Sequence, residues 1–276
     1  MFFAVTFPFL RRLYQAMPDD GISRISNLVD NLIKSRKAIK TSNNDFLGSL
    51  LNYWEKIDSE EFKKTGITED TIRAQALEFF LVTYDSVGTP IVHFIYHLAT
   101  HPAVQEKLLQ EIDSTAKKYD NVFNYEAVNN MPYLTACMSE TYRLCPAFIR
   151  AERICTKTWT HEALTIPKGM TVIFPLWAVN RHPDYHENPQ VFDPERFMPG
   201  NKEKIDTYAY STFGHGPKNC VGMKWGYDMS KLILSRFLFD FKVQKRNDTE
   251  MKYKAGNMFI PQYDPMFVDI VKRRAD

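Results

Sequence analysis

The sequence predicts a mainly α-helical fold with small β-sheets. Two long apolar patterns with helical spacing, over residues 68–101 and 222–239, are the main support for this prediction. Only short runs, at residues 163–166 and 170–174, have the composition of strands. A chain of 276 residues is long enough to bury a full core, in one large domain or two ordinary ones.

The main helices are predicted from apolar residues that recur at helical spacing. The helix at 68–101 is apolar on most faces, as expected for a helix that runs through a core, and His101-Pro102 ends it. Those at 22–40 and 103–116 are amphipathic, which indicates surface helices. In chain order the predicted helices cover residues 22–40, 68–101, 103–116, 131–144 and 222–239.

The predicted strands are short. Residues 163–166 and 170–174 flank the sequence Pro-Lys-Gly at 167–169, so we expect two strands about one turn. Near the C-terminus, residues 258–260 and 267–271 predict a second short strand pair. The chain between the strand at 170–174 and residue 213 is rich in proline and is expected to be irregular.

Composition argues against several classes of function. A net charge of +2 favours neither nucleic acid nor an electrostatic contact with membranes. The four cysteines have no Cys-x-x-Cys spacing, which argues against a zinc site or a disulfide framework and favours a reducing compartment. No run approaches the roughly 18 apolar residues of a membrane-spanning helix. The apolar residues 1–10 leave contact with a membrane surface open.

The run Phe-Gly-His-Gly-Pro-Lys-Asn-Cys-Val-Gly at residues 213–222 carries the most chemical information. Its glycines permit positive φ angles and a close approach to a flat object, and its proline stiffens the loop. The N-terminus of the helix that follows favours a thiolate at Cys220. A thiolate beneath a flat cofactor is what an axial ligand of haem iron requires. The alternative is an inert cysteine in a glycine-rich turn.

This run resembles the haem-binding loop of the cytochrome P-450 family, with Phe213, Gly216, Cys220 and Gly222 at the family's spacing. The resemblance implies haem b (iron protoporphyrin IX) as the cofactor and Cys220 as the axial ligand of its iron. One position departs from the pattern, because Lys218 stands where the family has arginine. Lysine keeps the charge but loses the bidentate fork.

A second resemblance concerns Glu140 and Arg143, three residues apart on one face of the helix at 131–144. Alone, such a pair is typical of a solvated surface. Its surroundings, however, resemble the family's Glu-x-x-Arg helix, and residues 192–197 resemble the segment whose arginine completes the pair. The resemblance implies a buried network of Glu140, Arg143 and Arg196 that holds the cysteine loop, in a structural role.

The resemblance also implies ligands for the haem propionates. Arg153 stands where the family has a basic residue that reaches a propionate, and Lys218 has the same implied role. A guanidinium suits a carboxylate because it can donate two parallel hydrogen bonds. The alternative for Arg153 is an exposed side chain without a ligand.

The helix at 68–101 aligns with the family's oxygen-activating helix. Asp85 keeps the family's acid, and Ser86 replaces its threonine with another hydroxyl, so we expect a buried acid–alcohol pair that relays protons to dioxygen. Val82 and Thr83 replace a small Ala-Gly pair and are expected to narrow the oxygen pocket. Pro90 is expected to kink the helix, which indicates either a functional site or drift.

Taken together, the motifs imply a haem-thiolate monooxygenase most similar to the microsomal xenobiotic- and steroid-oxidising branch. Such an enzyme takes electrons from an NADPH-dependent reductase or other donor and inserts one atom of dioxygen into a lipophilic small molecule. By resemblance it lies at the endoplasmic reticulum membrane, on the cytosolic face. No nucleic-acid partner is expected.

The matched motifs correspond to about the second half of a family member. We therefore expect residues 1–276 to be the C-terminal part of a single haem-thiolate domain, truncated at the N-terminus. Two alternatives remain: a non-catalytic haem-binding or interaction fragment of such an enzyme, and a product that does not fold.

Overall fold

A computed structural model describes residues 19–39, 44–254 and 261–274 of the chain. Helices predominate, and every sheet among the described residues has two strands. The predicted mainly helical fold with small sheets is therefore confirmed. The chain divides into two compact units, residues 1–84 and residues 85–276, with the boundary inside the longest helix.

Side chains cap the starts of the two short helices in the first unit. Asp45 accepts a hydrogen bond from the main-chain N–H of Gly48 at 2.7 Å, which begins the second helix. Arg73 donates to Asp30 at 2.8 Å and so joins the fourth helix to the first. These helices are α1 (Asp19–Ile39), α2 (Phe46–Trp54), α3 (Glu60–Lys63) and the start of α4 (Glu69–Thr100).

Helix α4 begins and ends within one residue of the predicted range of 68–101. Glu69 and Asp70 provide the acidic first turn that favours a helix N-terminus. The helix is continuous through Pro90, and the kink expected at this proline stays a prediction.

The second unit forms its core where four helices meet. Helix α9 packs against α5, α6 and α7, and the buried side chains Leu108, Leu134 and Leu234 fill the space between them. The helices after α4 are α5 (Pro102–Lys118), α6 (Tyr125–Asn129), α7 (Pro132–Leu144), α8 (Leu176–Val179) and α9 (Met223–Asp240). Short 3₁₀ turns lie at Pro194–Phe197, Lys202–Lys204 and Gly216–Lys218.

The start of α7 is held by a carboxylate from α5. Pro132 lies in the first turn, where its missing N–H costs nothing. Both oxygens of Glu111 accept main-chain hydrogen bonds, from Tyr133 and from Leu134, each at 2.8 Å. The negative charge also opposes the positive end of the helix dipole. Glu111 therefore sets where the helix of Glu140 and Arg143 begins.

The predicted strands exist, but the predicted pairing of residues 163–166 with 170–174 is wrong. Leu164–Ile166 pairs instead with an earlier strand across the turn at Glu162, and Thr171–Phe174 pairs with Ala151–Ile154. The second pairing continues past the strand end, because the main chain of Cys155 bonds to Gly169 and Met170. In chain order these strands are β1 (Ala151–Ile154), β2 (Trp159–His161), β3 (Leu164–Ile166) and β4 (Thr171–Phe174).

Two further antiparallel pairs follow α9. Residues 267–271 were predicted as a strand, and Val268–Lys272 forms one that pairs with Phe241–Lys245. Its predicted partner at 258–260 lies outside the described residues. The strands are β5 (Phe241–Lys245), β6 (Tyr253–Lys254), β7 (Gln262–Tyr263) and β8 (Val268–Lys272), with β6 paired to β7.

None of the helices in the described ranges has the length and apolar character needed to cross a bilayer.

Candidate haem-binding site

A bidentate ion pair lies on α7, away from solvent. Arg143 donates from Nε to Oε2 of Glu140 at 2.6 Å and from Nη2 to Oε1 at 2.7 Å. Both side chains have 0% exposed surface. Two parallel charge-assisted bonds are the strongest arrangement of these groups. Each charge is therefore compensated by the other inside the protein.

The guanidinium of Arg143 also binds three main-chain carbonyls that lie outside α7. Its Nη1 donates to the carbonyl of Asn180 at 2.8 Å and to that of Pro189 at 2.7 Å. Its Nη2 donates to the carbonyl of Val191 at 3.2 Å. Irregular segments leave carbonyls that need partners when they are buried, and a single side chain supplies several of them here.

The carboxylate of Glu140 holds the segment that carries Arg196. Its Oε1 accepts a hydrogen bond from the main-chain N–H of Asp193 at 2.9 Å, and Nε of Arg196 lies 3.5 Å from the same oxygen. Arg196 is further bound to the carbonyl of Asn188 at 3.0 Å. The structure thus brings Glu140, Arg143 and Arg196 together.

The loop at residues 213–222 is shaped by its main chain. Gly214 and Gly216 have φ angles of +71° and +74°, in the left-handed region that side chains avoid. The N–H of Cys220 donates to the carbonyl of Phe213 at 2.8 Å and so closes the loop. Gly222 precedes helix α9 with an ordinary negative φ, and its nearest neighbour is Sγ of Cys220, 3.9 Å from where a Cβ would lie.

Phe213 anchors this loop on a group of tyrosines that the sequence did not indicate. Its ring lies 4.9 Å from that of Tyr142 on α7 and 5.4 Å from that of Tyr227 on α9. The hydroxyl of Tyr227 is 2.9 Å from that of Tyr210 and 3.0 Å from that of Ser139. Burial raises the pKa of Tyr227 and Tyr210, so both hydroxyls stay protonated.

These tyrosines could not be distinguished from ordinary core residues by spacing alone. Tyr142 lies next to Arg143 in sequence, and this adjacency is the one signal that points to it. Burial also raises the pKa of Tyr142. The cysteine loop therefore packs, through Phe213, against aromatic rings whose hydroxyls are protonated.

Arg153 and Lys218 lie side by side. Nη2 of Arg153 donates to the carbonyl of Lys218 at 3.2 Å, and Nη1 donates to the carbonyl of Glu152 at 2.8 Å. Arg153 pairs with Val172 across the β1–β4 sheet, and cross-strand partners share a face. The Arg153 guanidinium therefore lies against the main chain of the Cys220 loop, on the sheet face that it shares with Val172.

The residues of this loop fit a flat, iron-containing group. Cys220 is exposed, in contrast to Cys137 and Cys145, so its sulfur is open to a ligand. A Cβ at Gly216 would meet nothing within 4 Å, which shows open space on that side of the loop. Sulfur ligands suit iron, and basic side chains suit the carboxylates of a macrocycle.

Asp85 and Ser86 do not form the buried acid–alcohol pair that was expected. Asp85 is exposed, and Ser86 is half-buried. Successive side chains of a helix point in different directions around its axis. At this turn of α4 the side chain of Asp85 faces solvent. In the described part of the chain, neither side chain forms a hydrogen bond with the loop of Cys220 or the Glu140 helix.

A second buried polar cluster lies around Cys145. Its Sγ is 3.8 Å from Nε2 of His97, whose ring stacks on Phe192 at 4.3 Å. Burial lowers the pKa of His97 to about 3 and raises that of Cys145 to about 12, so both are neutral. Among the described residues, no group of three or more His, Cys, Asp or Glu is arranged to hold a metal ion.

Comparison with known proteins agrees with this geometry. The family model for Cytochrome P450 matches residues 1–267. Cytochrome P450 3A25 of Mus musculus is 35% identical over 277 residues, which cover 98% of this chain and 54% of that protein. Cytochrome P450 3A14 of Cavia porcellus is 34% identical, and it is matched over 98% of this chain and 54% of its own length.

The chain belongs to the cytochrome P450 family. The predicted family is thus confirmed, and members of this family hold iron protoporphyrin IX through a cysteine thiolate. The chain spans about half the length of the curated relatives that it matches.

Proposed function

We propose that this chain is the haem-thiolate part of a monooxygenase, which inserts one atom of dioxygen into a lipophilic small molecule. The observation that carries the proposal is the exposed Cys220 in a loop that two left-handed glycines shape, next to Arg153. Bound haem would supply dioxygen activation, since a thiolate ligand favours cleavage of the O–O bond. The relatives of subfamily 3A favour the microsomal branch that oxidises xenobiotics and steroids.

In this proposal the loop residues bind the cofactor. Cys220 would be the axial ligand, and Phe213, Gly216 and Gly222 would hold the loop in the shape that presents its sulfur. Arg153 and Lys218 would bind the propionates, which their proximity supports. Arginine can bind a carboxylate with two bonds, whereas lysine acts as a point charge.

Glu140, Arg143 and Arg196 would act through structure. Their bonds hold the main chain around residues 180–193 in place, and none of these side chains is exposed enough to meet a substrate. Asp85 and Ser86 would move protons at the carboxylate and the hydroxyl.

The electron donor would be an NADPH-dependent reductase, and the site of action the cytosolic face of the endoplasmic reticulum membrane. Both proposals rest on family membership. We also propose that residues 1–276 form the C-terminal part of one haem-thiolate domain, and the chain spans about half the length of its curated relatives.

A second candidate is a non-catalytic haem-binding or interaction fragment of such an enzyme. The exposure of Asp85 favours it, because a proton relay is efficient only when bulk water is kept away from the reacting oxygen. Bulky Val82 and Thr83 in place of small residues point the same way.

The test is the carbon monoxide difference spectrum of the reduced, haem-reconstituted chain. A thiolate-type Soret band is expected for the wild type and for Cys155→Ala, a control at a cysteine outside the loop. Cys220→Ala should lose this band completely, because no other exposed cysteine lies among the described residues. A thiolate-type band that survives in Cys220→Ala would refute the assignment of the ligand.

Oxygen consumption then separates the two candidate functions. With a reductase and a lipophilic substrate present, the monooxygenase consumes dioxygen and forms oxidised product. A chain that shows the thiolate-type band but forms no product is the haem-binding fragment.

A further inference from the structure

Asn180 lies directly after helix α8 and has no exposed surface. Its main-chain carbonyl accepts a hydrogen bond from Nη1 of Arg143 at 2.8 Å. A buried amide side chain has two donors and one acceptor to satisfy. The partners that satisfy it decide what the residue does.

The amide of Asn180 binds the segment that leads into the cysteine loop. Its Nδ2 donates to Oγ1 of Thr212 at 2.9 Å, and its Oδ1 accepts from the main-chain N–H of Ser211 at 3.2 Å. Thr212 in turn donates from Oγ1 to the carbonyl of Tyr142 on α7, at 3.0 Å. Two neighbouring residues are thus fixed at the point where the loop begins.

A continuous series of contacts therefore leads from the buried ion pair to the cysteine. Arg143 holds the main chain of Asn180, and the side chain of Asn180 holds Ser211 and Thr212. The next residue, Phe213, accepts the hydrogen bond from the N–H of Cys220. The loop from 214 to 219 has left-handed glycines and little burial of its own, so its position depends on how its ends are held.

We infer that Asn180 is a positioning residue, which fixes the entry of the Cys220 loop to the helix of the buried Glu140–Arg143 pair. The inference rests on the proposed function, because Cys220 needs a fixed position only if it binds haem iron. Without the amide, the Thr212 hydroxyl keeps Tyr142 but loses one partner, and the N–H of Ser211 loses its acceptor. The loop should then open locally while the helical core stays closed.

The test is hydrogen exchange, measured by mass spectrometry, of the whole chain without added haem. Asn180→Leu keeps the approximate shape of the side chain and the main-chain hydrogen bond to Arg143. It removes both hydrogen bonds of the side-chain amide. Thr212→Val removes the hydroxyl with little change in shape, and Thr212→Ser restores it. We expect exchange in residues 213–222 to be about tenfold faster in the first two variants, because a lost buried hydrogen bond has about that effect. The serine variant should exchange at the wild-type rate.

Gln105→Leu is the matched control. Gln105 is also a buried amide that binds main-chain groups. Its Nε2 donates to the carbonyl of Val243 and its Oε1 accepts from the N–H of Val243, each at 2.8 Å. Gln105→Leu should make hydrogen exchange faster near β5, where the lost bonds were. It should not make exchange in residues 213–222 faster. If Asn180→Leu and Gln105→Leu accelerate residues 213–222 equally, Asn180 contributes only to global stability and the inference is wrong.

A second readout uses the haem-reconstituted chain. The fraction of the reduced carbon monoxide complex with a thiolate-type band should fall in Asn180→Leu and Thr212→Val and recover in Thr212→Ser. If the wild type itself lacks this band, the proposed function fails. The exchange experiment still decides whether Asn180 positions the loop, so the two failures are distinguishable.

Discussion

Helix α7 and the loop of Cys220 are neighbours that handle polar groups in opposite ways. On α7, Glu140 and Arg143 are fully buried, and their charged atoms are bonded to each other and to main-chain groups. In the loop, Cys220 is exposed, and among the described residues its main chain alone forms hydrogen bonds. The side chain with the largest effect on stability is therefore not the side chain that would bind the cofactor. Removing each side chain in turn measures this difference.

Glu140→Ala should have the largest effect on stability. It leaves the guanidinium of Arg143 buried without its counter-ion, which costs about 3–5 kcal/mol of the free energy of unfolding. The free energy of unfolding from urea titrations checks this value. Much of the chain would be unfolded if its total stability lies at the low end of the usual range.

The control for this change is Glu195→Ala, which removes an exposed carboxylate 2.5 Å from Lys107. An exposed pair contributes about 0–1 kcal/mol, so this variant should stay close to the wild type. Equal losses in the two variants would mean that burial does not distinguish the two ion pairs.

Acid should reveal a second buried region through its histidines. Burial lowers the pKa of His93 to about 4 and that of His97 to about 3. Below pH 6.5 the unfolded chain binds protons that the folded chain does not. Above that pH the two histidines do not lower the free energy of unfolding. As the pH drops from 6.5 towards 4, the free energy of unfolding falls by about 1.4 kcal/mol per pH unit for each histidine.

His97→Phe should make this pH dependence shallower, because it removes one titrating group and keeps the stacking on Phe192. The exposed His161 supplies the control: His161→Gln should leave the slope as it is in the wild type. Urea titrations between pH 7 and pH 4.5 give the slopes. An unchanged slope in His97→Phe would show that His97 takes up a proton as readily in the folded chain as in the unfolded chain.

Cys220→Ala should have the smallest effect on stability, within about 0.5 kcal/mol, because it removes an exposed side chain that has no side-chain partner among the described residues. The same variant should abolish the thiolate-type band. This combination of unchanged folding and complete loss of ligation is the opposite of that expected for Glu140→Ala. Thermal unfolding without haem measures the first, and the carbon monoxide spectrum the second.

Sequence reasoning predicted the site unevenly. It identified Cys220, Glu140 and Arg143 because short motifs carry a distinctive chemical composition. It placed Asp85 in the core, whereas the side chain is exposed. The apolar residues around this position made the whole helix look buried, and a single residue's direction on such a helix is not fixed by its neighbours.

The strands show the same limit. Residues 163–166 and 170–174 were recognised as strands from composition, but they do not pair with each other: the first pairs with residues 159–161 and the second with residues 151–154. A strand has two edges, and local sequence does not say which edge is used. The contacts of Asn180 were not predictable either, because they join residues 31 and 32 positions apart.

Local sequence was enough to predict the helical class, the family and the residues that could bind haem. These depend on composition and spacing, which local physical chemistry converts into helices, turns and a reactive cysteine. The tertiary structure alone decided that Glu140 and Arg143 are fully buried, that Arg153 reaches Lys218, and which strands pair. Burial and long-range bonds depend on which distant segments meet, because a polar group is stable inside only when another part of the chain brings its partner.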